Sequence, residues 1–261
     1  MYILVAHNWQ DVDAASLIAE ALGILVFEAR QKIAGGGPKV LSSFAQSGPA
    51  EAAAARLSEA GVPALVIDTQ EVRSRDQSLQ VAQFALEPQA LRVEFSAGET
   101  LVISYDDIAL LLVATQSSGQ ANSIHTETKR KFSIGKTLLA GGVPMTKKVK
   151  IETTLTSEER GKTLWIYLRE GKTLIFDQAL VSFTGLGAAM QISRDLNFTY
   201  LENQLRTLAP QAGYDNRLLK RAELARVLGQ PLNPATDLDL AFEILARSLR
   251  EQQTASKLPP Q

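Results

Sequence analysis

Three Gly-Lys-Thr triplets are the residues of this chain that most directly suggest nucleotide chemistry. They occupy positions 135–137, 161–163 and 171–173. A phosphate-binding P-loop needs a further glycine five residues before its Gly-Lys pair, because that glycine lets the backbone wrap the phosphates. The three positions concerned carry Arg130, Thr156 and Ile166. The spacing therefore argues against nucleotide hydrolysis.

Few other residues could support catalysis or bind a metal. Cysteine is absent, and His7 and His125 are the two histidines, which excludes a disulfide framework and a thiolate or histidine-rich metal site. Asp106 and Asp107 suit a turn better than an acid–base pair, since adjacent side chains of a strand point apart. No Gly-x-Ser-x-Gly elbow occurs. The sequence predicts a protein that is not an enzyme and has no cofactor and no metal site.

The strongest charge asymmetry lies between residues 129 and 150, which we call the basic insert. Its cations are Lys129, Arg130, Lys131, Lys136, Lys147, Lys148 and Lys150, and they are candidate binding residues. The basic insert has no acidic residue, and because the whole chain carries −1, the other residues together carry −8. Such a segment suits contact with nucleic-acid phosphate, lipid headgroups or an acidic protein. It is also typical of a solvated loop that the acidic residues 1–128 neutralise.

The first quarter of the chain predicts the element order βααβαβ. The predicted strands are Tyr2–Ala6, Lys39–Phe44 and Ala64–Ile67. The predicted helices are Val12–Leu22, Leu25–Ile33 and a third that begins near Pro49 and ends at Gly61. Gly35-Gly36-Gly37 closes a helix and leads into a strand, so it is predicted to form a turn and not a phosphate cradle. We expect a three-stranded sheet with the helices on one face.

The segments EARQKIAGGGPKV and AEAAAARLSEAGV resemble the C-terminal domain of the bacterial ribosomal stalk protein and the Clp protease adaptor, which share the βααβαβ fold. The resemblance covers about residues 2–68 and implies a bacterial protein-binding module, not an enzyme. In the adaptor, an Asn–Asp pair after the first strand helps to hold a peptide's amino terminus. Here Asn8 matches the first position, whereas Trp9 stands at the second. Both are candidate binding residues, and Trp9 is also predicted to be a half-buried lid over the end of the sheet.

Residues 76–210 predict an antiparallel β module that contains the basic insert and is closed by a helix. The predicted strands are Leu79–Leu86, Ala90–Phe95, Thr100–Tyr105, Ile108–Ala114, Val149–Leu155, Thr163–Leu168 and Lys172–Phe176. Asp195 or Asn197 caps the closing helix, which ends at Pro210. Seven strands and a helix follow the order of a pleckstrin-homology-like barrel, by analogy of pattern alone. Two small β subdomains are the alternative.

Residues 211–261 predict a helical hairpin and a polar tail. Its helices are Tyr214–Leu228 and one that begins at Thr236, and the tail is Thr254–Gln261, predicted to be disordered. The hairpin either packs on the β module or serves dimerisation or partner docking. The predicted fold class is α+β, with segments 1–75, 76–210 and 211–261.

Taken together, these patterns predict a non-catalytic cytoplasmic adaptor or scaffold that binds another protein through its αβ and β modules. The alternative is an anion-binding module that uses the basic insert. A net charge of −1 gives no overall attraction to nucleic acid or membranes. The longest fully apolar run, Ile108–Ala114, is too short to span a bilayer, so no transmembrane segment is expected. The sequence leaves open whether the chain forms a homodimer.

Overall fold

The computed structural model describes residues 1–9, 13–72, 78–132, 146–229, 232 and 237–257, and of these 117–132, 146–160 and 255–257 through their backbone. The described helices are α1 (Ala14–Leu22), α2 (Val26–Ile33), α3 (Ser47–Glu59), α4 (Arg194–Leu208), α5 (Arg221–Leu228) and α6 (Leu238–Lys257). The strands are β1 (Tyr2–Ala6), β2 (Lys39–Phe44), β3 (Ala64–Asp68), β4 (Leu79–Leu86), β5 (Ala90–Phe95), β6 (Thr100–Ser104), β7 (Ile108–Phe132), β8 (Thr146–Leu168), β9 (Thr173–Asp177) and β10 (Gly213–Asp215). The predicted α+β class is confirmed. No helix in the described part of the chain is long and apolar enough to cross a membrane.

The first three strands form a separate sheet in the order β2-β1-β3, and β1 pairs antiparallel with both neighbours. The predicted order βααβαβ is confirmed. The alternation of β1 explains its central place, because Leu4 and Ala6 face the helices while Ile3 and Val5 face the other way. Helices α1, α2 and α3 cover the first face, as predicted.

The seven-stranded sheet has the order β10-β7-β8-β9-β4-β5-β6. The prediction of an antiparallel module over residues 76–210 is wrong in one pairing, since β4 runs parallel to β9. Strand β10, which lies beyond that segment, runs parallel to β7. Strand β4 pairs antiparallel with β5 from Val81 to Leu86, with a register shift between Val81 and Gln83. The strand order ends at β10 and β6, so the described pairings give an open mixed sheet and not the favoured barrel.

Strands β7 and β8 are much longer than the sequence indicates. The predicted strand Ile108–Ala114 continues to Phe132, and the two predicted strands Val149–Leu155 and Thr163–Leu168 are parts of β8. Polar residues dominate after Ala114, so the apolar pattern that marks a buried strand stops there. By their contacts the residues form two compact units, Met1–Thr115 with Lys162–Gln261, and Gln116–Gly161.

The helices after β9 depart from the predictions in three places. The predicted cap of the closing helix, Asp195 or Asn197, is wrong, because the helix begins at Arg194. Ser193 caps α4, and its hydroxyl accepts a hydrogen bond from the Leu196 amide at 3.2 Å. The start of the predicted helix Tyr214–Leu228 is instead β10 followed by a 3-10 turn at Arg217–Leu219. Residues 254–257 of the predicted tail are helical, because α6 continues to Lys257.

Helix α6 connects the layers of the larger unit. Its buried residues share one core with the second face of the three-stranded sheet and with a face of the seven-stranded sheet, contributed by Leu110, Leu112, Trp165, Tyr167 and Ile175. The opposite face of the larger sheet packs on α4. The shared core therefore draws on all three predicted segments, 1–75, 76–210 and 211–261, whose independent folding remains a prediction.

Candidate functional site

A pocket of about 1050 Å³ lies between α2 and α5. Its lining residues are Glu28, Gln31, Lys32, Ala34, Gly35, Lys39, Val40, Ala225, Arg226, Gly229 and Leu232. They come from α2, the glycine loop that follows it, the start of β2, and the end of α5 with Gly229 and Leu232 beyond it. Pockets of this size are typical of small-molecule and peptide sites.

The glycine loop Gly35-Gly36-Gly37 shapes one wall of the pocket. Gly35 has φ +89°, which places its backbone in a conformation that other residues rarely adopt. A Cβ at Gly35 would lie 3.1 Å from the guanidinium carbon of Arg226. The bare backbone therefore lets the guanidinium pack directly against the loop.

Trp9 covers the other side of the same loop. A Cβ at Gly37 would lie 2.2 Å from the Trp9 ring, so the ring rests on the glycine backbone. Trp9 is half-buried against the core of the αβ module, as predicted for a lid. Asn8 is exposed. Their proposed role as binding residues remains a prediction.

Three cations converge on the pocket. The Lys32 ammonium donates to the Leu41 carbonyl at 2.7 Å, and the Lys39 ammonium donates to the Ala34 carbonyl. Arg226 pairs with Glu223, with Nη1 2.7 Å from one carboxylate oxygen and 2.8 Å from the other. Two carboxylates, Glu28 and Glu223, accompany the three cations, so the site carries a net positive charge.

Lys39 is the unusual member of this group, because only 4% of its surface is exposed. Burial lowers the pKa of its amine, the positive charge of Arg226 lowers it further, and the negative charge of Glu223 partly opposes them. A buried ammonium beside an arginine is energetically unfavourable unless a counter-charge compensates it.

A second surface feature lies at the start of α2. Leu25 and Phe27 are 69% and 67% exposed, and Val26 between them is also exposed. The Leu25 amide donates to the Glu28 carboxylate at 3.2 Å, which fixes the first turn of the helix. We call Leu25, Val26 and Phe27 the α2 apolar surface. Phe27 lies one turn from Gln31, so this surface adjoins the pocket rim.

A buried polar residue outside the pocket, His7, has a structural role. His7 is buried, burial lowers the pKa of its imidazole, and Glu251 opposes that effect. The Gln252 side-chain amide donates to the His7 carbonyl at 2.9 Å and so connects α6 to the end of β1.

Asp106 and Asp107 lie in a 3-10 turn, as predicted. Among the described residues, no group of three His, Asp or Glu side chains is placed to hold a metal ion.

The structure describes residues 129–132 and 146–150 of the basic insert, through their backbone. Lys129, Arg130 and Lys131 belong to β7, and Lys147, Lys148 and Lys150 belong to β8. Lys136 and the first Gly-Lys-Thr triplet lie outside the described residues.

Sequence reasoning missed the pocket. Lys39 and Arg226 lie in distant parts of the chain, and no motif joins them. The one available signal was the charged residue Lys39 at the start of a strand that is otherwise apolar or small. Comparison with known proteins found no match among family models, curated proteins or solved structures.

Proposed function

We propose that this chain is a non-catalytic cytoplasmic adaptor or scaffold that binds another protein. The observation that carries the proposal is the α2 apolar surface, where three consecutive large apolar side chains face outward. The resemblance of residues 2–68 to protein-binding domains supports it. A homodimer is one form such binding can take.

The α2 apolar surface has the chemistry of a docking site. Moving a leucine or phenylalanine side chain from water into an interface contributes about 1.5–3 kcal/mol. Folding of the chain gains little from these side chains, because Ala29 supplies the buried contact of α2. A partner that presents apolar side chains would therefore gain binding energy from Leu25 and Phe27 without unfolding any element.

The test is a crosslinking pull-down with the full chain and its variant Leu25→Ser with Phe27→Ser. We expect wild type to capture a discrete protein that survives high salt, and the variant to lose it. The matched control is Leu180→Ser with Ile192→Ser, which removes two other exposed apolar side chains, 65% and 99% exposed. Equal capture by all three proteins would overturn the α2 apolar surface as the docking site.

The charge of the basic insert favours a second candidate function, binding to an anionic surface. Seven cations without an acidic residue would release counterions from phosphate, so this binding weakens steeply with salt. In the same pull-down, capture of only nucleic acid or lipid, lost at high salt, would favour this candidate. The variant Lys129→Glu with Lys131→Glu would then lose that capture.

A further inference from the structure

We infer that the pocket between α2 and α5 is a binding site for an oxyanion group, a phosphate or a carboxylate, held by Lys32, Lys39 and Arg226. This goes beyond the proposed function, because it concerns a different surface and a ligand of defined chemistry. Free phosphorylated compounds and acidic side chains of a protein both carry such a group.

The three cations keep donor capacity beyond the contacts described. An ammonium has three donor hydrogens and a guanidinium has five. In the described contacts Lys32 and Lys39 each donate to one carbonyl, and Arg226 binds Glu223 through Nη1. Donors therefore remain for a ligand that enters the pocket, and charge-assisted hydrogen bonds of this kind are the strong ones.

The charge balance of the pocket also favours an anion. The site has two carboxylates, Glu28 and Glu223, and three cations. Among the cations, Lys39 is a buried residue beside Arg226. Removing a charge from water is unfavourable unless an opposite charge compensates it. A bound oxyanion would supply the missing negative charge and would shield Lys39 from Arg226.

The glycine loop leaves room for Arg226 in this position. The Arg226 guanidinium lies beside Gly35, which has a positive φ and no side chain, and a Cβ at Gly35 would lie 3.1 Å from the guanidinium carbon. A volume of about 1050 Å³ exceeds what one phosphate fills, so the remainder of a ligand also has space.

The first experiment measures thermal unfolding of the full chain during titration with inorganic phosphate at constant ionic strength. A ligand that binds only the folded state raises Tm with its concentration. We expect a saturable rise in Tm for wild type. For Lys39→Met and for Arg226→Gln we expect the apparent affinity to fall by about tenfold or more, because each loses a charge-assisted contact.

The matched control is Lys172→Met, which removes an exposed lysine in the turn before β9 and should leave the phosphate response unchanged. A second titration with the acetylated peptide Glu-Glu-Glu distinguishes the two ligand sources. A response to phosphate alone identifies a free phosphorylated ligand, and a response to the peptide alone identifies an acidic protein segment.

The inference is overturned if neither probe raises Tm saturably, or if Lys39→Met and Arg226→Gln respond as wild type does. The Arg226 side chain is 42% exposed, so its variant keeps the test valid even if Lys39→Met folds poorly. Leu25→Ser with Phe27→Ser leaves the pocket lining intact. Loss of the protein partner with phosphate binding retained would therefore separate the two proposals.

Discussion

At the scale of single residues, burial decides which charged side chains affect the stability of the fold. Arg92 and Glu87 form a solvent-exposed pair at 2.7 Å, and such pairs add little to stability. Lys39 differs because it is buried among charged groups from two helices, Glu28 and Lys32 on α2 and Glu223 and Arg226 on α5. Its lowered pKa means that folding opposes its protonation.

Replacing Lys39 by methionine should leave the free energy of unfolding unchanged or increase it. The variant removes a buried charge and keeps the length of the side chain, and Ala34 is an exposed residue, so water can replace the ammonium at its carbonyl. Urea denaturation at neutral pH measures this. A loss of more than about 2 kcal/mol would show that the lysine contact with Ala34 is structurally required.

The same variant should change how stability depends on pH. Because the Lys39 pKa is lower in the folded state, the unfolded chain binds more protons between that pKa and the ordinary lysine value of about 10.4. Wild-type stability should therefore rise relative to Lys39→Met as pH increases through this interval. A constant difference between the two proteins would contradict a lowered pKa.

At the scale of elements, α4 shows how neighbours select a helix cap. The predicted cap is Asp195 or Asn197, but both lie inside the helix that begins at Arg194, and other groups engage their side chains. The Asp195 carboxylate pairs with Lys162 at 2.8 Å, and the Asn197 side-chain oxygen accepts from the Gln191 amide at 2.6 Å. Ser193 therefore supplies the cap, since its extended backbone lets the hydroxyl face the helix start.

Ser193→Ala should lower the free energy of unfolding by about 1 kcal/mol, the usual effect of losing a cap. Urea denaturation provides the measurement. Ser58→Ala, in the exposed last turn of α3, is the control and should change stability by less than about 0.5 kcal/mol. Equal effects of the two substitutions would argue that the Ser193 hydroxyl does not cap α4.

At the scale of the whole molecule, α6 gives the two sheets of the larger unit a common core. Phe242 is fully buried and stacks on Trp165 of β8, with ring centroids 4.2 Å apart and planes 13° apart. Ile3 and Val5 of β1 belong to the same core. Loss of the α6 side chains would therefore expose apolar surface on both sheets at once.

Phe242→Ala should lower the free energy of unfolding by about 3–5 kcal/mol, because it leaves a cavity that the rigid strands cannot fill. Denaturant unfolding followed by tryptophan fluorescence, to which Trp9 and Trp165 both contribute, measures the change. Phe242→Leu is the control and should lose less, since it restores part of the volume. A loss below about 1 kcal/mol for the alanine variant would show that α6 is not needed to join the sheets.

Local patterns in the sequence determined much of this fold. Strands β1, β2, β4 and β5 have the predicted bounds, and Gly23 ends α1, because alternation and turn residues act over a few neighbouring positions. Which strands pair with each other depends on segments that lie far apart in the sequence. No local sequence pattern predicts that β9 pairs with β4 or that β10 pairs with β7. Tyr214 pairs with the edge of β7 and so lies in a strand, where the periodicity predicted a helix.

The same distinction applies to the candidate sites. Composition and charge identified the basic insert, since these are features of neighbouring residues, and the resemblance of residues 2–68 singled out Asn8 and Trp9 after the first strand. Only the tertiary structure brought Arg226 onto Gly35 and beside Lys39, because α5 buries its apolar face in the core that Val40 of β2 also enters. Burial then changed the pKa of an ordinary lysine, an effect that depends on the surrounding fold and not on the sequence around residue 39.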